Sequence, residues 1–437
     1  MKTNPKRAGS ERLRRLPHRH APARSLPHLP AVCLAVGTVS LNIGLLLALC
    51  ASQDIQSFIY RPRVLAVMHS LTLGWISLAI TGVLYRYVPT LTKQALRWPR
   101  VGRLQVGAFI AGVIGMITSS WIGQAYGTAW SVGVVFLGVM LLLALLFPLL
   151  LRAPQYDATV IGIGTALSSF LGVAALGLMH SIDKVHPLIG GTVWSNIAAH
   201  AHLAVLGWVG LTICAVSYRT IAAFALPEVL FPRPARLQVL SLSAVVPLLV
   251  VALLARSRLV MPLAAATAAS LLWYVVIILR LLRTRRMPLD WSIRHVQAAM
   301  VHLCIAIVCG LALVFEVDVG SAVGTHLAVA YGALALLGWV SNFIIGVGSR
   351  LAPGLSAVQE VATRAIFSVR IQALMFWAFN LGVAGIVLAA LGNSRALLLG
   401  ATALTLIATL LFARATIASA VEMMTAARAP AHRAHAA

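Results

Sequence analysis

Residues 69–86 read HSLTLGWISLAITGVLYR, and residues 202–219 read HLAVLGWVGLTICAVSYR. Aligned without a gap, the two stretches are identical at nine of eighteen positions, including the His, the Gly-Trp pair and the final Tyr-Arg pair. Apolar helices often match by chance, but a His, a Gly-Trp and a Tyr-Arg at fixed offsets do not. The two stretches therefore indicate an internal repeat.

A third and weaker copy consists of Gly338-Trp339 followed by Arg350. In all three copies the Trp precedes the Arg by 11 residues, and successive Trp residues are 133 and 131 positions apart. Each interval is long enough for four membrane spans. We therefore expect an all-α bundle of twelve spans in three pseudo-repeats of four, with functional sites where the repeats meet.

The composition restricts the class of protein. Of the 437 residues, 60% are hydrophobic and only 10% are charged, and the mean hydropathy is +0.93. A soluble domain carries about a quarter charged residues, so this composition excludes a soluble enzyme, a disordered protein and a small disulfide-rich domain. The chain is predicted to be a polytopic membrane protein whose principal partner is the lipid bilayer.

About 20 apolar residues cross a bilayer core, and that length defines twelve candidate spans. They are 31–50, 64–85, 104–123, 131–151, 158–179, 196–218, 238–255, 259–279, 296–315, 324–347, 368–391 and 396–413.

Basic residues predict how the spans are oriented. With the N-terminus cytoplasmic, 28 of the 34 Lys and Arg residues fall on the inner side and six on the other side, here called outer. This positive-inside pattern predicts a bacterial-type inner membrane protein with both termini cytoplasmic. Because the basic excess is a topology signal, no nucleic-acid partner is inferred from it.

The domain organisation follows from the same pattern. Residues 1–30 are rich in Arg and Pro and are expected to form a basic, disordered cytoplasmic tail held near anionic headgroups. Residues 31–424 form a single membrane domain, and the Ala-rich residues 425–437 form a second cytoplasmic tail.

Histidines provide the strongest functional signal. Six of the thirteen gather toward the outer side, and four of them (His69, His200, His202 and His326) lie near the outer ends of the second, sixth and tenth spans. Ionisable residues within spans usually mark functional sites, and neutral imidazole is a common metal ligand. The alternative is that each His only hydrogen-bonds a neighbouring helix.

Spacing determines what these histidines can reach. His200 and His202 differ by ~200° around a helix, so one should face the second span and the other the tenth. For His326 two registers remain open. Alignment on Trp339 places it seven residues, or ~10 Å, farther out than its counterparts, whereas alignment of the shared HLAV at 202–205 and 326–329 brings it level.

This pattern resembles subunit I of the haem-copper oxidases and nitric-oxide reductases, and the NnrS-type membrane proteins are similar in plan. The resemblance implies a low-spin haem between the second and tenth spans, which carries over to His69 and His326. Together with the repeated histidines, it makes His69, His202 and His326 the expected iron ligands, with His202 added by the repeat and His200 facing a second cofactor site. Arg61 and Arg63 are candidates for the haem propionates, with lipid headgroup contact as the alternative.

The copper site of that superfamily has no counterpart here. Its motif in the sixth span, a His followed by Pro-Glu and a Tyr, is absent, and the seventh span at 238–255 contains no His. Copper is therefore allowed by the resemblance but not supported by the usual ligands.

The leading hypothesis is a haem-binding membrane protein that transfers electrons or senses or handles O2 or NO, together with a redox partner protein. If it is an enzyme, it would be a haem-dependent oxidoreductase of the cytochrome oxidase or nitric-oxide reductase type. The alternatives are an NnrS-like nitrosative-stress protein and a small-molecule or metal transporter without a cofactor.

Overall fold

The computed structural model describes residues 28–57, 60–190, 192–315, 321–355 and 368–428. Most of both predicted tails therefore lies outside the described residues. Within these ranges the chain is helical throughout and forms no strand, which confirms the predicted all-α class.

The described ranges contain twelve helices that are long and apolar enough to cross a membrane, the number predicted from hydropathy and charge. We call them spans 1 to 12. In chain order they are Leu29–Cys50, Pro62–Thr92, Pro99–Trp121, Ala125–Leu150, Ala158–Asp183, Val193–Ala225, Pro232–Leu254, Val260–Arg283, Trp291–Val314, Ala322–Arg350, Val369–Leu391 and Arg395–Glu422.

Spans 2 and 6 are longer than predicted, at 31 and 33 residues. Their starts follow from local chemistry. Pro62 stands in the first turn of span 2, where its missing N–H costs nothing, and Thr192 caps span 6 by accepting a hydrogen bond from the Ser195 amide. Both ends close on a left-handed residue, Lys93 and Leu226, 133 positions apart.

Spans 2, 6 and 10 form the interior of the bundle. In their most apolar stretches 72%, 61% and 67% of the residues are buried, against 33–50% in the other nine. The surrounding helices supply the lipid-facing surface. Residues on these three spans are therefore shielded from lipid on more sides than residues elsewhere in the chain.

Each interior span contains one eight-residue π-helical segment: Ser70–Ser77, Leu203–Gly210 and Leu334–Ser341. The widened turn is visible at the residue that follows each segment, since Leu78, Leu211 and Asn342 donate their amides to the carbonyl five residues earlier. Every segment starts five residues before its Trp and ends two residues after it. The three spans are therefore locally equivalent when aligned on Trp, whereas the division of the whole chain into three four-span units remains a prediction.

Three tryptophans are buried between the interior spans, and two of them join these spans by hydrogen bonds. The indole of Trp75 donates to the Ser341 hydroxyl at 2.9 Å, and that of Trp208 donates to the Ser77 hydroxyl at 3.0 Å. Ser77 and Ser341 each stand two residues after a Trp, and each donates in turn to a carbonyl five residues earlier. In the third copy this position is Gly210.

Gly210 leaves the third indole without an acceptor. Trp339 is 1% exposed, and its N–H has no hydrogen-bond partner among the described residues. A Cβ atom at Gly210 would lie 3.2 Å from the Trp339 ring and 3.0 Å from the Val205 carbonyl. Gly210 thus occupies the place of the missing serine.

We expect Ser77→Ala to unfold at a lower temperature than wild type, because the buried Trp208 N–H would lose its acceptor. The loss should be about 1–3 kcal/mol, since an unsatisfied buried donor costs that much. Thermal unfolding in detergent measures it. Gly210→Ser should unfold no higher than Gly210→Ala, because a side chain there meets the Cη2 and Cζ3 edge of the Trp339 ring and not its N–H. An unchanged midpoint for Ser77→Ala would contradict this account.

Candidate imidazole site

His69 and His202 occupy equivalent positions in spans 2 and 6, immediately before the π-helical segment. In both, Nδ1 lies 2.7 Å from the carbonyl oxygen four residues earlier, that of Leu65 or Ala198. Because a carbonyl only accepts, Nδ1 must carry the proton in each ring. Nε2 is then the unprotonated nitrogen, which is the tautomer that a metal-binding imidazole requires.

The two histidines of span 6 face different neighbours, as their ~200° separation predicts. Nε2 of His202 lies 3.4 Å from the Tyr331 hydroxyl on span 10. The His200 ring lies 5.5 Å from the His180 ring on span 5. His200 therefore faces span 5, and His202 faces span 10.

Tyr331 is a site residue that the sequence analysis missed. It stands eight residues before Trp339, as His200 stands eight residues before Trp208. The spacing from Trp therefore indicates this position, whereas the histidine pattern does not, because the residue there is a tyrosine. Its ring lies 6.1 Å from that of His202, nearly parallel to it.

His326 follows the Trp register of the two that the sequence left open. The π-helical segment of span 10 is aligned on Trp339, so the position equivalent to His69 and His202 is Ala333. His326 lies seven residues earlier, ~10 Å farther toward the outer side. Within the described part of the chain, no hydrogen bond or ring contact joins His326 to another histidine. The structure thus places His180 beside His200, and Tyr331 beside His202.

An apolar cavity of about 70 Å³ lies between spans 6 to 10 and reaches His202 and Tyr331. Its other walls are mainly aliphatic, with Ala306 and Gly310 among the small residues that leave it open. This volume is far below the ~300–1,000 Å³ of pockets for drug-sized ligands. It suits a diatomic gas or a water molecule.

The propionate candidates Arg61 and Arg63 lie at the outer end of span 2. Arg61 forms an ion pair with Asp54 at 2.8 Å, and Arg63 lies 4.0 Å from the same carboxylate and over the Trp121 ring. Both side chains are about half exposed, at 51% and 57%. In this structure their anionic partner is Asp54.

A cation–π contact lies in the loops beside these histidines. Lys184 follows span 5, and its ammonium group lies 4.5 Å from the centroid of the Tyr60 ring. Burial lowers the pKa of Lys184, and burial followed by the negative charge of Asp183 raises the pKa of Tyr60. The outer end of span 5 thus combines apolar packing with both signs of charge.

His295 and His302 on span 9 have structural partners. Nδ1 of His302 lies 2.8 Å from the Ala298 carbonyl, and its ring packs where a side chain at Gly338 would stand. His295 is 2% exposed, and its Nδ1 lies 2.7 Å from the Asn342 side-chain oxygen. Asn342 in turn binds the Gly338 carbonyl and Asn380, so a polar network joins spans 9, 10 and 11.

No set of three or more potential metal-ligating side chains converges within the described ranges. No family model matches the chain, and no curated protein matches it.

Asn342→Ala should destabilise the bundle by about 1–3 kcal/mol, because His295 Nδ1 would lose its partner in a buried site. Asn380→Ala is the matched control: it removes the outer link but leaves Asn342 bound to Gly338 and His295. Thermal unfolding in detergent should therefore rank Asn342→Ala below Asn380→Ala. The opposite order would refute a structural role for His295.

Apolar cavities of this kind bind xenon, so the cavity beside His202 should give a saturable xenon shift in NMR of the purified protein. Ala306→Leu should abolish the shift, since the added side chain fills the space. Val308→Phe makes an enlargement at least as large on the same span, but at a residue that is 67% exposed. It should leave the shift intact, and loss in both variants would contradict the assignment.

Proposed function

We propose that this multi-pass membrane protein binds haem and belongs to the haem-copper oxidase subunit I-like type, with a role in electron transfer or in sensing or handling O2 or NO. The proposal includes placement in a bacterial-type inner membrane, cytoplasmic termini and a redox partner protein. An NnrS-like role in nitrosative stress is a variant of it, and loss of nitric-oxide tolerance on deletion of the gene would distinguish that variant.

One observation carries the proposal. His69 and His202 stand at equivalent positions on two interior helices, and the same carbonyl contact leaves Nε2 unprotonated in both. In both rings Nδ1 is bonded within its own helix, which holds the ring in one orientation and leaves Nε2 as the nitrogen that an outside group can reach. Nε2 of His202 already lies 3.4 Å from the Tyr331 hydroxyl on span 10, so a ligand at His202 would replace that contact between helices.

A bound haem requires both donor side chains for its iron and enough space for its porphyrin ring. The imidazoles of His69 and His202 are suitable axial ligands, and a bound haem would supply an iron that carries one electron or binds a diatomic gas. The space beside Nε2 of His202 does not fit a porphyrin, because the cavity there measures about 70 Å³. A porphyrin at His202 would need the surrounding spans to separate, whereas a diatomic molecule fits as they stand.

A second candidate function, transport of a small solute or metal ion, is favoured by a different observation. A cavity of about 410 Å³ lies at the inner ends of spans 2 and 6 and at the start of span 5. Its wall combines the polar side chains of Tyr87, Lys93, Gln155 and Arg219 with a larger apolar surface, and its volume suits a small molecule. The same three spans carry His69, His180 and His200 at their outer ends.

The purified protein, with and without added haem, should show a Soret band and a reduced-minus-oxidised difference spectrum. His69→Ala should lose most of the bound haem, because it removes a candidate imidazole ligand. The same loss in His202→Ala would show that the spans around the cavity at His202 separate to admit a porphyrin. Absorbance and pyridine haemochrome assays measure the content.

Two control variants keep this test specific. His302→Ala removes an imidazole with the same carbonyl contact, and His186→Ala removes one from an exposed loop. Both should retain full haem content. A wild-type protein without a Soret band under either condition would refute the proposal, and solute flux in liposomes would then favour the transporter.

A further inference from the structure

Two buried imidazole nitrogens on adjacent helices have no hydrogen-bond partner. They are Nε2 of His180, near the outer end of span 5, and Nδ1 of His200 on span 6. Buried polar atoms are nearly always bonded, so each orphan requires an explanation. Here the two nitrogens without partners belong to neighbouring rings that meet edge to face.

The geometry of the two rings suits one shared metal ion. The ring centroids lie 5.5 Å apart and the ring planes differ by 62°. A zinc ion binds imidazole nitrogen at ~2.0–2.1 Å, which places it about 3 Å from the ring centroid. Two such distances meeting at a tetrahedral to trigonal angle span about 5 to 5.5 Å. The observed separation therefore leaves room for one ion, and neither orphan nitrogen forms a hydrogen bond.

The surrounding chain supports this placement. Gly177 lies one helical turn before His180, and a Cβ atom there would stand 3.2 Å from Cε1 of His200. The absence of a side chain thus leaves the space that the His200 ring occupies against span 5. His69 is not a third ligand, since the described residues contain no set of three converging ligands. Water would complete the coordination.

Charge and ligand type define the metal class. Imidazole is preferred by zinc, copper, iron and nickel, whereas magnesium and calcium require oxygen ligands. Asp183 lies one turn beyond His180 and uses one carboxylate oxygen to hold the Leu188 and Ile189 amides at 2.6 and 2.7 Å. The negative charge of Asp183 offsets the positive charge of the adjacent Lys184, so the protein adds little net charge near His180 and His200.

We propose that His180 and His200 bind one divalent transition-metal ion of the zinc and copper class at the outer ends of spans 5 and 6. Neither nitrogen is used by the proposed haem ligands, so the site stands or fails separately from haem binding.

The experiment is equilibrium Zn²⁺ binding to the purified full-length protein in detergent, measured by competition with a chromophoric chelator. Wild type should bind one Zn²⁺ per chain at this site. His180→Ala and His200→Ala should each weaken binding at least tenfold, and His186→Ala and His302→Ala should match wild type. His180→Cys should restore binding, because its thiolate replaces the lost imidazole ligand. Gel filtration of each variant checks that its fold matches that of wild type.

X-ray absorption at the zinc edge should show two imidazoles on the bound ion. Absence of Zn²⁺ binding, unchanged affinity in both alanine variants, or a spectrum without imidazole would overturn the proposal. The Soret band of the same samples gives an independent readout. Loss of Zn²⁺ with haem content retained concerns this site alone, and loss of haem with Zn²⁺ retained concerns only the haem proposal.

Discussion

The interior of this bundle depends on satisfying the hydrogen bonds of large aromatic side chains away from water. Trp75 and Trp208 each place an indole N–H on a serine of the neighbouring interior span. A lipid environment gives such groups no alternative partner, so these contacts determine which faces of spans 2, 6 and 10 meet. The π-helical turn at each Trp is part of the same arrangement, because it positions the residue two places later as the acceptor or, at Gly210, as a close neighbour of the ring.

That arrangement also explains why the histidines sit where they do. Because the π-helical segments begin at a fixed distance from the tryptophans, His69 and His202 both stand immediately before a segment and make the same carbonyl contact. Two residues earlier in the Trp register, His200 lies beside His180 and Tyr331 lies beside His202. One helical geometry thus produces two different polar sites, one rich in imidazole and one beside an apolar cavity.

Much of this was predictable because membrane insertion imposes strong local rules. The number of spans follows from the length of apolar stretches and was confirmed, since a bilayer requires about 20 such residues per helix. The Gly-Trp repeat correctly marked the three interior spans. The ends of spans 2 and 6 were underestimated, because hydropathy marks the apolar core whereas the helices continue beyond it until a cap residue ends them.

By itself, the sequence determined the helical class, the twelve spans, the local repeat around the three Trp residues and the different facing of His200 and His202. These depend on periodicity and on the absence of water, which act within one helix. Only the tertiary structure decided the register of span 10, the pairing of His180 with His200, the approach of Tyr331 and the cavity volume. Each depends on how separate helices shift and rotate against one another. The sequence allows two alignments for His326, and residue order alone does not show which of them the packing of the helices favours.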